Sequence, residues 1–210
     1  MYWLVKVILY VSVFSAAPAV WLGRRLRGLL WYYALASLCC DAIPFVLERS
    51  IGFESAIPTN IFNILELTLI GLYFWKAFSN KLLRRAIVTG ITVLSILFIF
   101  DTWHIVNERV NWPSQAFSQI FLLLFCIGGL FNVLRDAEYQ KIEQSSLFLV
   151  SSSFLLYVAY SLLLMLFTEQ FSHAPASLRS GLWSIHNLLN ILKNLAIARI
   201  FVVQRKALRP

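Results

Sequence analysis

The chain has 210 residues, 60% of them hydrophobic and only 13% charged, with a mean hydropathy of +0.74. A soluble domain of this length cannot hide so much apolar surface, so lipid must be its solvent. The formal charge of +8 would suggest nucleic acid in a soluble protein, but its placement along the chain gives it another meaning.

A transmembrane helix needs about 20 mostly apolar residues. Seven segments meet that need in order: Tyr2–Leu22, Leu29–Leu47, Ile57–Phe78, Ala86–Trp103, Pro113–Leu134, Leu147–Phe167 and Gly181–Val203. The expected fold is an all-α membrane protein, a single seven-transmembrane-helix bundle over residues 1–210. The connections are short and leave no room for an inserted soluble domain. A cleaved signal peptide carries positive charge ahead of its apolar run. Here Arg24, Arg25 and Arg27 follow the first run, so it reads as a retained helix. Cys39, Cys40 and Cys126 have no metal-like or redox-like spacing and read as small apolar filler.

The basic residues sort by side. Thirteen, including Arg24, Arg25, Lys76, Arg84, Arg135 and Arg205, fall on one side, against Lys6, Arg49, Arg109 and Arg179 on the other. This asymmetry predicts an outside N-terminus and a cytoplasmic C-terminus. The basic excess is therefore a topology signal that meets anionic lipid, and no nucleic-acid footprint. Trp3, Trp103, Trp112 and Trp183 are expected at the outer interface, and Trp21, Trp31, Tyr32, Tyr33 and Trp75 at the inner one.

Lys193 is the one basic residue left deep inside a span. Span seven reads His186-Asn-Leu-Leu-Asn-Ile-Leu-Lys193, and span three reads Thr59-Asn-Ile-Phe-Asn-Ile-Leu-Glu66. Asn60 aligns with Asn187, Asn63 with Asn190, and Glu66 with Lys193. Both spans run inward, so residues 1–79 form a candidate parallel repeat of 113–203, with 86–103 as linker helix. That 3+1+3 layout is the SWEET-type transporter arrangement. At about 1.5 Å per residue, Glu66 and Lys193 both lie roughly 12–18 Å into their spans. A lone ion at that depth costs at least about 2.5–3.5 kcal/mol, so the two are expected to pair.

Helical spacing puts His186, Asn190 and Lys193 on one face, flanked by Asn187 and Asn194. Asn60, Asn63 and Glu66 make a similar face on span three, and Asp41 and Gln119 add polar groups on spans two and five. These ten residues are the expected lining of a polar cavity in the outer and middle bundle. Interhelical amide and hydroxyl contacts also glue membrane bundles without any ligand, and the serines and tyrosines of span six fit that role. Two ionisable groups at mid-membrane exceed what packing needs, which favours a functional reading of Glu66 and Lys193.

No catalytic motif appears, and the chain reads as a non-enzyme more readily than as an enzyme. No Gly-x-Ser-x-Gly or His-Glu-x-x-His is present, and His186 is the only histidine within a span, so no metal site is expected. A lysine in span seven and a carboxylate in span three match a retinal Schiff base and its counter-ion. Against retinal on Lys193, span six lacks the tryptophan and proline cluster, and span three the arginine–tryptophan pattern, usual in such pigments.

The asparagine-bearing third span and the stretch Trp183-Ser-Ile-His-Asn-Leu-Leu-Asn-Ile-Leu-Lys-Asn194 resemble those of small seven-helix membrane proteins common in Bacteroidetes. The resemblance is diffuse over most of the chain. It implies a bacterial inner membrane and assigns no activity. The expected function is a sensor of a small polar ligand or an accessory membrane subunit. The bilayer, and a membrane signalling partner or a second copy of the chain, would be its partners. A transporter is the alternative, weakened by the lack of proline in spans six and seven; Gly128-Gly129 in span five is the only paired break.

Overall fold

A computed structural model describes residues 2–51, 57–104, 112–135, 142, 145–167, 171 and 173–207, and near several helix ends the backbone alone. The expected outer-loop residues Glu108 and Arg109, and most of the segment 136–144, lie outside the described residues. Among the described residues there are eight α-helices of seven residues or more and no strand. They are α1 (Tyr2–Phe14), α2 (Ala17–Gly23), α3 (Leu29–Ile51) and α4 (Ile57–Ala77), then α5 (Lys81–His104), α6 (Trp112–Arg135), α7 (Ser146–Leu166) and α8 (Ala176–Ala207).

Among the described residues, five segments are long and apolar enough to cross a membrane: Trp3–Gly23, Lys81–Phe100, Ser114–Arg135, Ser146–Leu166 and Ala176–Arg205. In α3 the described side chains cover the apolar stretch Leu29–Ile43. α4 carries Asn60, Asn63, Glu66 and Lys76 among its apolar residues. Large apolar side chains such as Ile96, Ile99, Phe131 and Leu156 point outward. An apolar exterior on this scale suits acyl chains and not water.

The first span departs from the sequence reading, which took Tyr2–Leu22 as one helix. It breaks at Ser15-Ala16 into α1 and α2. Pro18 explains the break, because it has no N–H to donate to the carbonyl of Phe14. The chain turns tightly instead, with the Ser15 N–H donating to the Ser12 carbonyl at 3.1 Å. Gly128-Gly129, by contrast, breaks nothing, since α6 runs through it. Gly129 lies against the Ser151 hydroxyl and the Phe74 ring, and Gly90 of α5 against the Phe121 ring of α6. These glycines buy close helix approach, the usual use of small residues in membranes.

Helix starts follow local capping. The Asn80 side chain accepts from the Leu82 N–H at 2.8 Å, so α5 begins more than a turn before the expected Ala86. Ser145 caps α7 by accepting from the Phe148 N–H. Pro175 opens α8, which starts at Ala176 and not at Gly181.

The packing order is sequential. α1 and α2 pack on α3 and α8, α3 packs on α4, α4 on α5 and α6, α6 on α7, and α7 on α8. The ring closes where α8 meets α1 and α2, while α5 lies outside it as the least buried of the five spanning segments. One end of the bundle gathers the end of α4 (Tyr73, Lys76), the starts of α3 (Leu29, Leu30) and α7 (Ser146), and the end of α8 (Phe201, Gln204) around a cleft of about 330 Å³. This basic end also holds Arg24, Arg25 and Arg84. The buried core runs upward from it through Phe74, Phe125, Ile70, Tyr33 and Phe154.

Candidate functional site

The core is closed above Ile70 and Ile197 by charge. Lys193 of α8 is wholly buried, Glu66 of α4 is 2% exposed, and Lys193 Nζ lies 3.6 Å from Glu66 Oε1. Tyr33 of α3 donates its hydroxyl to the same Oε1 at 2.9 Å. The ammonium sits 3.7 Å from the centre of the Tyr157 ring, with the rings of Tyr33 and Phe154 at 5.2 and 5.4 Å. The result is an aromatic cage with one carboxylate in its wall.

The cage holds the ammonium without saturating it. Charge-assisted N–H···O bonds run at about 2.7–2.9 Å, and the 3.6 Å separation lies beyond that. Lys193 Nζ makes no hydrogen bond among the described residues. Cation–π attraction to Tyr157 supplies about 2 kcal/mol when the cation is desolvated. A buried ion pair offsets its desolvation only when geometry and secondary hydrogen bonds are good. This pair has the charge but not the hydrogen bonds.

The polar face continues along α8. Asn190 donates to Ser12 Oγ of α1 at 3.2 Å and lies beside the Asp41 carboxyl of α3. Lys193 exerts its field on both Asp41 and Glu66, so one buried cation faces two carboxyl groups. Asn194 donates to Ser15 Oγ at 2.7 Å, at the break in the first span, while its own Oδ1 makes no hydrogen bond among the described residues. His186 is half-buried, its Nδ1 3.3 Å from Ser161 Oγ and its ring between Tyr157 and Trp183. Asp41 and Asn187 are half-buried too. Burial therefore falls from Lys193 toward the α8 N-terminus.

The expected residues thus divide. Asp41, Glu66, Asn190 and Lys193 come together, Asn194 adjoins them, and His186 joins through Tyr157. Asn60 and Asn63 of α4 and Gln119 of α6 are buried as well. The Asn63 Nδ2 and Gln119 Oε1 atoms make no hydrogen bond among the described residues. Asn187 is the least engaged. No group of three or more histidine, cysteine or acidic residues could hold a metal among the described residues.

Tyr33 corrects the sequence reading, which put it in the inner aromatic belt beside Tyr32. Tyr32 is 49% exposed, whereas Tyr33, about 100° further round α3, is wholly buried. Ser12 and Ser15 were also missed, since a serine in an apolar run carries no signal of its partner. Tyr157, read as packing, forms the nearest wall of the lysine cage.

No family model, curated protein or solved structure matches this chain.

Proposed function

We propose that this chain is a seven-span bacterial inner-membrane protein, its N-terminus outside and its C-terminus in the cytoplasm. In this reading it senses a small polar ligand on the polar face of α8, or serves as an accessory subunit that reports the state of that face. The observation that carries the reading is the Lys193 ammonium, wholly buried, 3.6 Å from its carboxylate and without a shorter partner among the described residues. A residue kept only to fix helix register would be better satisfied, because the pair's desolvation is offset only by good geometry. The half-buried Asp41, His186 and Asn187 mark the approach from the outer end. A ligand that engages Asn190 or Lys193 there alters the balance between one ammonium and two carboxyl groups. The change would pass through the Ser12 and Ser15 contacts to the first span, and from there to a membrane partner at the basic end.

A transporter built on parallel repeats is the second reading, and two observations favour it. The packing of α8 on α1 and α2 corresponds to that of α4 on α6, with α5 outside as linker. The break at Ser15-Ala16 puts irregular backbone beside Asn194, and transporters use broken helices at the bilayer midplane.

Reconstitution into liposomes separates the two. A panel of small polar solutes is tested for binding and for flux on the same preparation. Binding without flux supports the sensor, flux that ceases in Glu66→Gln supports the transporter, and neither binding nor flux defeats both.

A further inference from the structure

The corner between α4 and α5 holds an open cleft of about 450 Å³ lined by Trp75, Lys81, Arg84, Arg85, Val88 and Thr89. It is separate from the charged core and plays no part in the sensing proposal. Capping by Asn80 starts the helix ahead of Lys81, so Lys81, Arg84, Arg85 and Val88 recur at helical spacing on one face of α5. Three cations converge here, and no acidic residue among the described residues lines the cleft.

Arg84 is prepared for an anion. Its guanidinium carbon lies 3.7 Å from the centre of the Trp75 ring, a stack that occupies the face of the group. Stacking leaves the in-plane N–H edge free, and a guanidinium edge matches two oxygens of a phosphate. Among the described residues the contact of the Arg84 guanidinium is this stack, which leaves its edge turned to the cleft.

What lies beside the cleft identifies the source of the phosphate. The outer face of α5 is largely apolar, with Leu82 73%, Val88 48%, Ile96 60% and Ile99 61% exposed. A free anion would gain nothing from that surface. A phospholipid would lay its acyl chains along it while its headgroup entered the cleft. Trp75 at the rim has the amphipathic character of a residue at headgroup level.

We propose that the α4–α5 cleft is a binding site for one anionic phospholipid. Arg84 grips the phosphodiester through its guanidinium edge, Lys81 and Arg85 supply further positive charge, and the acyl chains run along α5.

Native mass spectrometry of the detergent-solubilised protein, titrated with phosphatidylglycerol, phosphatidylcholine or glycerol phosphate, tests this. The site predicts one phosphatidylglycerol held more tightly than the rest and no comparable retention of phosphatidylcholine. Arg84→Gln with Arg85→Gln should weaken that lipid by roughly 30-fold, about 5-fold for each cation lost from the cleft beside the headgroup. Arg24→Gln with Arg25→Gln removes the same charge from the same end, where Arg24 also lies over a tryptophan, at 5.0 Å. That control should retain the lipid. Arg84→Lys keeps the charge and the fold but loses the planar edge, and it should bind distinctly less well than wild type. Equal loss in the control would overturn the site in favour of diffuse attraction. Glycerol phosphate bound as tightly as the lipid would overturn the lipid assignment, and undiminished binding by Arg84→Lys would overturn the role of the guanidinium edge.

Discussion

Replacing Lys193 by methionine removes the charge and keeps most of the side-chain volume. In the native protein the ammonium lies 3.6 Å from Glu66 Oε1, with both groups at most 2% exposed. At an effective dielectric of about 20, two unit charges at that distance attract by about 5 kcal/mol. The variant also loses cation–π attraction to Tyr157 and gains relief from burying the lysine. What dominates is the Glu66 carboxylate left in the core with the Tyr33 hydroxyl as its remaining partner. Breaking a buried pair typically costs about 3–5 kcal/mol. For a chain of this size that is a fall on the order of 10 °C in the unfolding midpoint. Glu66→Gln should cost a comparable amount by stranding the ammonium. Combining the two removes both charges, and the new amide oxygen can still accept from Tyr33. The double variant should therefore recover at least about 2 kcal/mol relative to the sum of the singles. Thermal or denaturant unfolding in detergent, run on all four proteins, measures that coupling. Strict additivity would refute the claim that Glu66 and Lys193 stabilise each other.

Three further outcomes follow from the packing. Ser15→Ala takes the acceptor from the buried Asn194 amide and should cost about 1–3 kcal/mol, while adding Asn194→Leu should restore much of it, because both polar partners are then gone. Unfolding midpoints of the single and double variants check this. Gly129→Leu should destabilise by about 1–3 kcal/mol or more, since its side chain would enter the space of Ser151 and Phe74 between α6, α7 and α4; Gly28→Leu, with nothing near its Cβ position, serves as the benign comparison. Single cysteines near Arg25, Arg84 and Arg205 should react with an impermeant reagent only from the cytoplasm, and those near Arg49, Glu108 and His173 only from outside. An inverted pattern would overturn the orientation.

Hydropathy made the helices legible, because a run of apolar residues long enough for a bilayer has few other readings. The Glu66–Lys193 contact was legible too, since two opposite charges at matched depth have few alternatives to each other. Sequence left out whatever depends on the rotation of a helix about its axis. Tyr32 and Tyr33 are neighbours in sequence, yet one faces lipid and the other the carboxylate. A polar anchor within two positions of Tyr33 would have fixed its face, and α3 has none before Ser37. Ser12 and Ser15 gave no warning because a hydroxyl can bond back to its own helix. Pro18 did give a signal: an interior proline removes one helical hydrogen bond, and the break in the first span lies just before it. The paired glycines were misleading because glycine serves close packing as readily as flexibility, and the Phe74 ring and Ser151 hydroxyl against Gly129 decide which.

The central claim is that the charged core responds to a ligand and does more than pin two helices. Its most direct test is a thermal-shift screen of small polar molecules on the wild-type protein and on Glu66→Gln with Lys193→Met. A ligand that binds the folded state raises its midpoint by mass action. The account predicts a compound that stabilises the wild type, at 100 times its dissociation constant, by about 2.7 kcal/mol, and leaves the double variant unmoved. Equal stabilisation of both proteins by every active compound would contradict it, and the pair would then be a structural pin alone.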